Sequence, residues 1–386
     1  MFAKKSIIAV LMMSLSMPIY SRIVADDVIK DVKQQYAPDT RVAVWSVTAD
    51  KQSGNSVVLR GKTDNPDAKD ALLRGLKAVN IAYKDSITLL PDATVEKPWA
   101  LVTISVACLR GEPRSGAELV SQAIMGTPVK VLECDGGMSR VQTPDGYIAY
   151  VTDSSLQFLS ADGFAAWKKA RRVVVTANLS MAYEKPVENI DAAVSDLLLG
   201  NILEYKGETA GFVQVSLPDG RTGYVKETDV KEFSEWAKQN FDMPTIERSA
   251  RRMMGTPYLW GGMSAKMADC SGFVRTAYFS NGIILQRDAS QQALTGKKID
   301  PKKWRTEAEP GDLIFIGTKS GKVTHVAMYI GNGKYIHSSG RVKINSMDKS
   351  ASDFLDYNFL SMSRIKGEVG TKGIVAVRNH EWYFNK

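Results

Sequence analysis

The chain has 386 residues, 44% of them apolar and 24% charged, which sets aside a largely disordered chain, a collagen-like repeat and a multi-spanning membrane protein. Lys and Arg outnumber Asp and Glu by 50 to 42; an excess of +8 spread over this length makes no basic block and argues against a nucleic-acid site. At roughly 100–200 residues per domain, two to four domains are expected.

The first 21 residues read as a signal peptide. Lys4 and Lys5 precede an apolar stretch from Ser6 to Tyr20, shorter than the roughly 20 residues a spanning helix needs. Ser16, Ser21 and Ala25 are alternative small residues for cleavage, and no Cys lies near them for a lipid anchor. No later stretch has the length to span a bilayer, so an exported protein is expected, in a periplasm or secreted. The three cysteines, Cys108, Cys134 and Cys270, are too few for a disulfide framework, and with three His (His325, His337, His380) they lack metal-site spacing.

In residues 22–96, Val28–Tyr36 is expected as a helix and Arg41–Thr48, with Val42, Val44 and Val47, as a strand. A turn at Gly54-Asn55 leads to a strand over Ser56–Arg60. Pro66 opens a helix with Ala71, Leu72, Leu76, Val79 and Ala82 on one face, and Ile87–Leu90 is a third strand. This small unit is similar to a BON-like domain and carries no evident chemistry.

The middle of the chain repeats itself. At an offset of 74, Val120-Ser121 matches Val194-Ser195, Gly126 matches Gly200, Pro144-Asp145-Gly146 matches Pro218-Asp219-Gly220, and Tyr150-Val151 matches Tyr224-Val225. Short strands closed by turns predict two small barrels, over 97–165 and 166–236, that resemble bacterial SH3-like domains. Cys108 and Cys134 fall in the first and are expected in its core, or else bonded to each other. Phe233–Phe241 reads as a helical linker into residues 237–386.

That last block holds the chemistry. Asp269 can cap a helix starting at Cys270, with Phe273, Val274 and Ala277 on its buried face. A thiol at a helix N-terminus faces unpaired N–H groups that favour the thiolate and can hold an oxyanion. A base is available downstream. If Gly331-Asn332-Gly333 is a three-residue hairpin loop, Ile330 pairs with Lys334 and Ala327 lies opposite His337. His325 and His337 then share a face as diagonal neighbours roughly 7–8 Å apart; a two-residue Asn-Gly turn alone would put them on opposite faces. The spacing makes Cys270 the nucleophile, His325 the base and His337 its orienter. His380, in the Asn379–Trp382 tail, is read as non-catalytic.

The run Pro257-Tyr258-Leu259-Trp260-Gly261-Gly262, the motif from Asp269 to Val274, the segment Pro310–Phe315 and the two His strands resemble, in order, the NlpC-type papain-like cysteine peptidases of bacterial cell walls. The resemblance implies a multidomain α+β chain: a small N-terminal α/β unit, two SH3-like β-barrels and a C-terminal papain-like domain. It implies the Cys270–His325–His337 triad, with Tyr258 lining the site and no metal or cofactor.

With two barrels in front, the whole resembles the γ-D-glutamyl-L-diamino acid endopeptidases. These cut murein stem peptides that carry a free N-terminal L-Ala. The resemblance then implies that Asp269 and Ser271 hold the substrate's N-terminal end. A wall from the first barrel would contribute Tyr147 and an acid. The family position for that acid is Val120 here, so Glu118 is the nearest candidate and Glu112 the second. Arg287–Ser290 matches a site-lining loop in which Asp288 and Ser290 are the candidates, Ala289 standing where Ser is common. The other readings are an endopeptidase on intact glycan-linked murein and an inactive murein-binding module. No diamino acid, and no oligomeric state, follows from the residues.

Overall fold

The computed structural model describes residues 21–52 and 55–385, so residues 1–20 of the expected signal peptide and Gly54 of the expected turn lie outside the described residues. The chain divides at 96/97 into two compact units. In the first, a helix runs over 21–36, longer than expected. Its neighbour is a three-stranded sheet of Thr48–Lys51, Ser56–Thr63 and Ala82–Leu89, the last two parallel and joined by the helix Pro66–Ala78. Asn65 caps that helix by accepting from the Ala68 amide, and Pro66 fits its first turn, where no N–H is needed. Leu72 and Leu76 are fully buried, whereas Val79 is an exposed cap and Ala82 already belongs to a strand. The strand expected at Arg41–Thr48 begins only at Thr48. Val44 and Val47 are buried there without a ladder, because alternation reports burial rather than pairing.

The second unit holds two seven-stranded antiparallel sheets built in the same order. In the first sheet, Leu119–Ile124, Pro128–Asp135, Met138–Gln142 and Ile148–Thr152 stand 74 residues before Ala193–Leu198, Ile202–Thr209, Phe212–Ser216 and Thr222–Lys226 of the second. Gly126 and Gly200 both sit at positive φ, where a side chain would be strained, and each accepts a neighbour at close range. A Cβ on Gly126 would lie 2.2 Å from the Ile202 carbonyl oxygen, and one on Gly200 would strike Ile124 and Phe279. A helix over Ala161–Lys169, not foreseen, joins the sheets; the linker helix Phe233–Lys238 follows the second. Cys108 and Cys134 are exposed and free, so neither the core placement nor the mutual bond is found.

The rest of the unit is an antiparallel six-stranded sheet flanked by helices, with a two-stranded sheet of Ile283–Leu285 and Ile374–Ala376 beside it in sequence. The order of the six strands is Lys297–Ile299, Phe359–Arg364, Leu313–Gly317, Val323–Gly331, Lys334–Ser339 and Arg341–Ser346. The helix Cys270–Phe279 packs on this sheet through Phe273, Val274 and Ala277, all fully buried against Leu313, Phe315, Val326 and Met328. At 25 cal/mol per Å² such apolar burial is what fixes the helix, and with it the position of Cys270. Among the described residues, no helix is long and apolar enough to cross a membrane.

Candidate active site

Cys270 is the first residue of its helix. Asp269 caps it, accepting from the Gly272 amide at 2.7 Å. The helix start is also clamped by close backbone contact. The Gly262 carbonyl would lie 2.0 Å from a Cβ on Gly272, and the Asp269 amide donates to Gly262 at 3.1 Å. Both motifs therefore need glycine where they have it, because two stretches of main chain touch. The Cys270 thiol faces the amides of Val326 and Ser271, so it lies against the residue that follows His325.

Those amides and Arg287 favour the thiolate, but burial, with the charge of Asp269, outweighs them and pushes the thiol up to about 11. The thiolate expected from the helix terminus is thus not the resting form. Burial also pushes His325 down to about 3, helped by His337 and Lys343, and His337 down to about 4. Both directions favour a neutral thiol at Cys270 and neutral imidazoles at His325 and His337.

The two His meet, by a different turn from the one expected. Gly331, not Ile330, pairs with Lys334 across the two-residue turn Asn332-Gly333, with both turn residues at positive φ. A bulge at Ile330 absorbs the extra residue, so that Tyr329 faces Tyr335 and Met328 faces Ile336. This restores the register that sets Ala327 opposite His337. His325 Nε2 lies 2.8 Å from His337 Nδ1, and His337 Nε2 lies 3.0 Å from Oδ1 of Asn345. Asn345 is a site residue the sequence reading missed. Its signal was a lone amide between Ile344 and Ser346 on a strand that Gly340 turns back beside His337.

Tyr258 is half-buried, held by its amide on the Gly340 carbonyl. Burial and the nearby Cys270 and Asp269 push its hydroxyl up to about 12, which keeps it a neutral donor. Beneath it, Arg287 is fully buried. It donates to both oxygens of Asp269 at 2.6 and 3.2 Å, to Ser271 Oγ at 2.9 Å and to Ser121 Oγ at 3.0 Å. Burial opposes its charge, and Asp269 overcomes that. Asp269 also accepts from the Gly261 amide and from the Ser271 hydroxyl. With its lone pairs filled, Asp269 would take a substrate ammonium only by losing one of these donors.

The first seven-stranded sheet closes one side. Glu118 accepts from Trp260 Nε1 at 2.8 Å and remains exposed, while Glu112 pairs with Arg114. Gln122 accepts from the Met263 amide, and a Cβ on Gly261 would lie 2.4 Å from the Leu119 carbonyl. Asp145 and Arg275 form a buried ion pair at 3.3 Å, two residues from the buried Tyr147, whose hydroxyl is close enough to Arg287 to act on its charge. Asp288 caps the short helix Ala289–Gln292, with Ser290 half-buried on it. Val120 is half-buried in the docking strand. His380 lies in the tail, donating from Nε2 to the Pro144 carbonyl and accepting at Nδ1 from the Trp382 amide. Among the described residues, no three His, Cys, Asp or Glu side chains converge as a metal would require.

Residues 255–358 match the NlpC/P60 family, and residues 109–156 match the bacterial dipeptidyl-peptidase Sh3 domain. A gamma-D-glutamyl-L-lysine dipeptidyl-peptidase of Bacillus cereus is 30% identical over 236 residues, covering 57% of this chain and 67% of that one. The chain belongs to the NlpC/P60 family. It is a cysteine peptidase of mixed α/β, multidomain build, with an SH3-like domain ahead of its C-terminal NlpC/P60 domain. Dipeptidyl-peptidase 6 of Lysinibacillus sphaericus is 29% identical over 266 residues, 65% of this chain and 92% of that one. The crystal structure of an NlpC/P60 family protein from Bacillus cereus shares the fold, with a TM-score of 0.59 at 24% identity over 69% of this chain and 99% of the other.

Proposed function

We propose that this NlpC/P60 enzyme cuts the bond between the γ-carboxyl of D-Glu and an L-diamino acid in murein stem peptides bearing a free N-terminal L-Ala. The observation that carries the reading is the docking of the first seven-stranded sheet beside the nucleophile, with the exposed Glu118 carboxylate fixed on Trp260. A chain extending from L-Ala into glycan would meet this wall, whereas a free ammonium finds an acid there. Both relatives are named as dipeptidyl-peptidases, one of them for gamma-D-glutamyl-L-lysine.

In this reading Cys270, His325 and His337 are the catalytic residues. His325 takes the thiol proton as sulfur attacks the γ-carbonyl, and the backbone N–H of Cys270 and the Tyr258 hydroxyl receive the oxyanion. His325 returns the proton to the leaving amine. Water then splits the thioester, freeing L-Ala-D-Glu and regenerating the thiol. Glu118 pairs with the substrate ammonium and Tyr147 backs it. Asp288 and Ser290 border the same cleft, and Asp269 and Ser271 hold Arg287 beneath it. No metal or cofactor enters any step.

The same reading divides the chain into a small module (22–96), two SH3-like domains (97–165 and 166–236) and the peptidase (237–386). The identical strand order of the two sheets supports the second SH3-like domain. The signal-like pattern of the first 21 residues supports reading the enzyme as exported, in a periplasm or secreted. The deciding experiment is mass spectrometry after incubation with L-Ala-γ-D-Glu-diaminopimelate and its N-acetylated twin. Release of L-Ala-D-Glu from the free peptide alone is expected. Equal cleavage of both would remove the amine-sensing wall, and cleavage of intact sacculi would move the reading to a murein endopeptidase.

A further inference from the structure

The hydrogen bonds beyond the two His admit one arrangement of protons. Asn345 Nδ2 donates to the Asp353 carbonyl at 2.6 Å. That bond settles which end of the amide is which, so Oδ1 faces His337 Nε2. The Asp353 carbonyl is itself held in place. Lys334 Nζ grips both Asp353 carboxylate oxygens at 3.0 Å, and Ser346 bridges to Phe354. An amide oxygen only accepts, so His337 Nε2 carries the hydrogen. A neutral imidazole has one N–H, so His337 Nδ1 is a bare acceptor, and His325 Nε2 at 2.8 Å must donate to it. The lone pair of His325 is then on Nδ1.

We propose that Asn345 is a positioning residue that selects the reactive tautomer of His325 through His337. This rests on the reading of His325 as the base. Without an acceptor at position 345, the row of hydrogens can reverse. His337 Nδ1–H would then donate to His325 Nε2, and His325 Nδ1 would carry a proton and could take none from Cys270. The reversed row is the favoured one in that case, because a buried N–H without a partner costs more than a bare lone pair.

The test compares Asn345→Leu, which removes the acceptor at similar volume, with Asn345→Asp, which keeps an oxygen there. For Asn345→Leu, kcat is expected to fall roughly tenfold or more, the order a lost buried hydrogen bond sets, with KM unchanged. Asn345→Asp is expected to retain kcat within a few-fold, with the acid limb of its pH profile moved up by the added negative charge. Long-range ¹H–¹⁵N NMR of the imidazoles reads the tautomers directly: Nε2–H on both His in the parent, Nδ1–H on both in Asn345→Leu. Circular dichroism checks that both variants fold. An Asn345→Leu protein with parental tautomers would overturn the proposal, as would equal loss in both variants. Because the NMR readout needs no turnover, a separate failure of His325 as base, seen as an active His325→Ala protein, is told apart from a failure of this inference.

Discussion

The two seven-stranded sheets share strand order, spacing and a paired glycine, yet they meet the residues around Cys270 through different side chains. Where the first has Glu118, Gln122 and Tyr147, the second has Ala192, Asp196 and Arg221 at the same offset. Gln122 takes the Met263 amide; Asp196 pairs instead with Lys266. Ser121 receives Arg287, while Ser195 bonds the backbone beside it. Asp145 is buried against Arg275, while Asp219 pairs locally with Arg221. One framework thus serves as a wall of the cleft or as a support, according to a few side chains on its Leu119–Ile124 edge and one turn.

The largest expected effect removes the site itself. Cys270→Ala should lower turnover by about a thousandfold or more, leaving peptide binding measurable by calorimetry. Any residual cleavage at the parental rate would mean that the wall guards something other than Cys270. Next comes the joint between wall and site: Arg287→Met strands the buried Asp269 charge, and should cost about 3–5 kcal/mol in a urea titration. An unchanged midpoint would show that Ser121 and Asp269 do not depend on it.

Giving the first sheet the residues of the second sharpens the comparison further. Glu118→Ala, which gives that position the residue of the second sheet, should raise KM for the free-amine peptide about tenfold and reduce discrimination against its N-acetylated twin, with kcat little changed. The opposite control, Asp219→Ala in the second sheet, should leave kcat/KM unaltered and stability within about 0.5 kcal/mol.

Acidity tests the buried pair of His. Their proton affinity is lower in the folded protein than in the unfolded chain, so between about pH 6.5 and the folded values of about 3 and 4 the unfolded chain binds more protons. Stability therefore drops as pH falls through that window and is unaffected by these groups above it. The base also stays neutral below pH 6, so kcat/KM should hold there, where an exposed His would already be protonated. An acid limb centred near 6.5 would contradict the burial.

The nucleophile helix was legible because capping, glycine contact and apolar spacing all fall within residues 261–277. The repeat was legible because turn residues recur at one offset. The hairpin was read correctly in its consequence and incorrectly in its means, since a bulge at Ile330 is a tertiary adjustment with no local signal of its own. The crowding of Asp269 was not legible, because its five donors come from three separate segments and no sequence pattern shows Arg287 arriving beside it. The exposed Cys108 and Cys134 show the limit of residue type as a guide: cysteine is buried on average, but their strand positions face outward.

The tail that carries His380 has a consequence for timing. His380 contacts the Pro144 carbonyl, and the Tyr383 carbonyl accepts from Arg172, so residues 380–383 brace both the turn before Tyr147 and the second sheet. Synthesis delivers the nucleophile, both imidazoles and Asn345 before that brace exists. A chain stopped short of residue 380 would own every reacting group and lack the strut behind its gate. On the proposed reading, selectivity for the free amine would depend on that brace, and a substrate panel run on a chain cut before residue 380 measures how far it does.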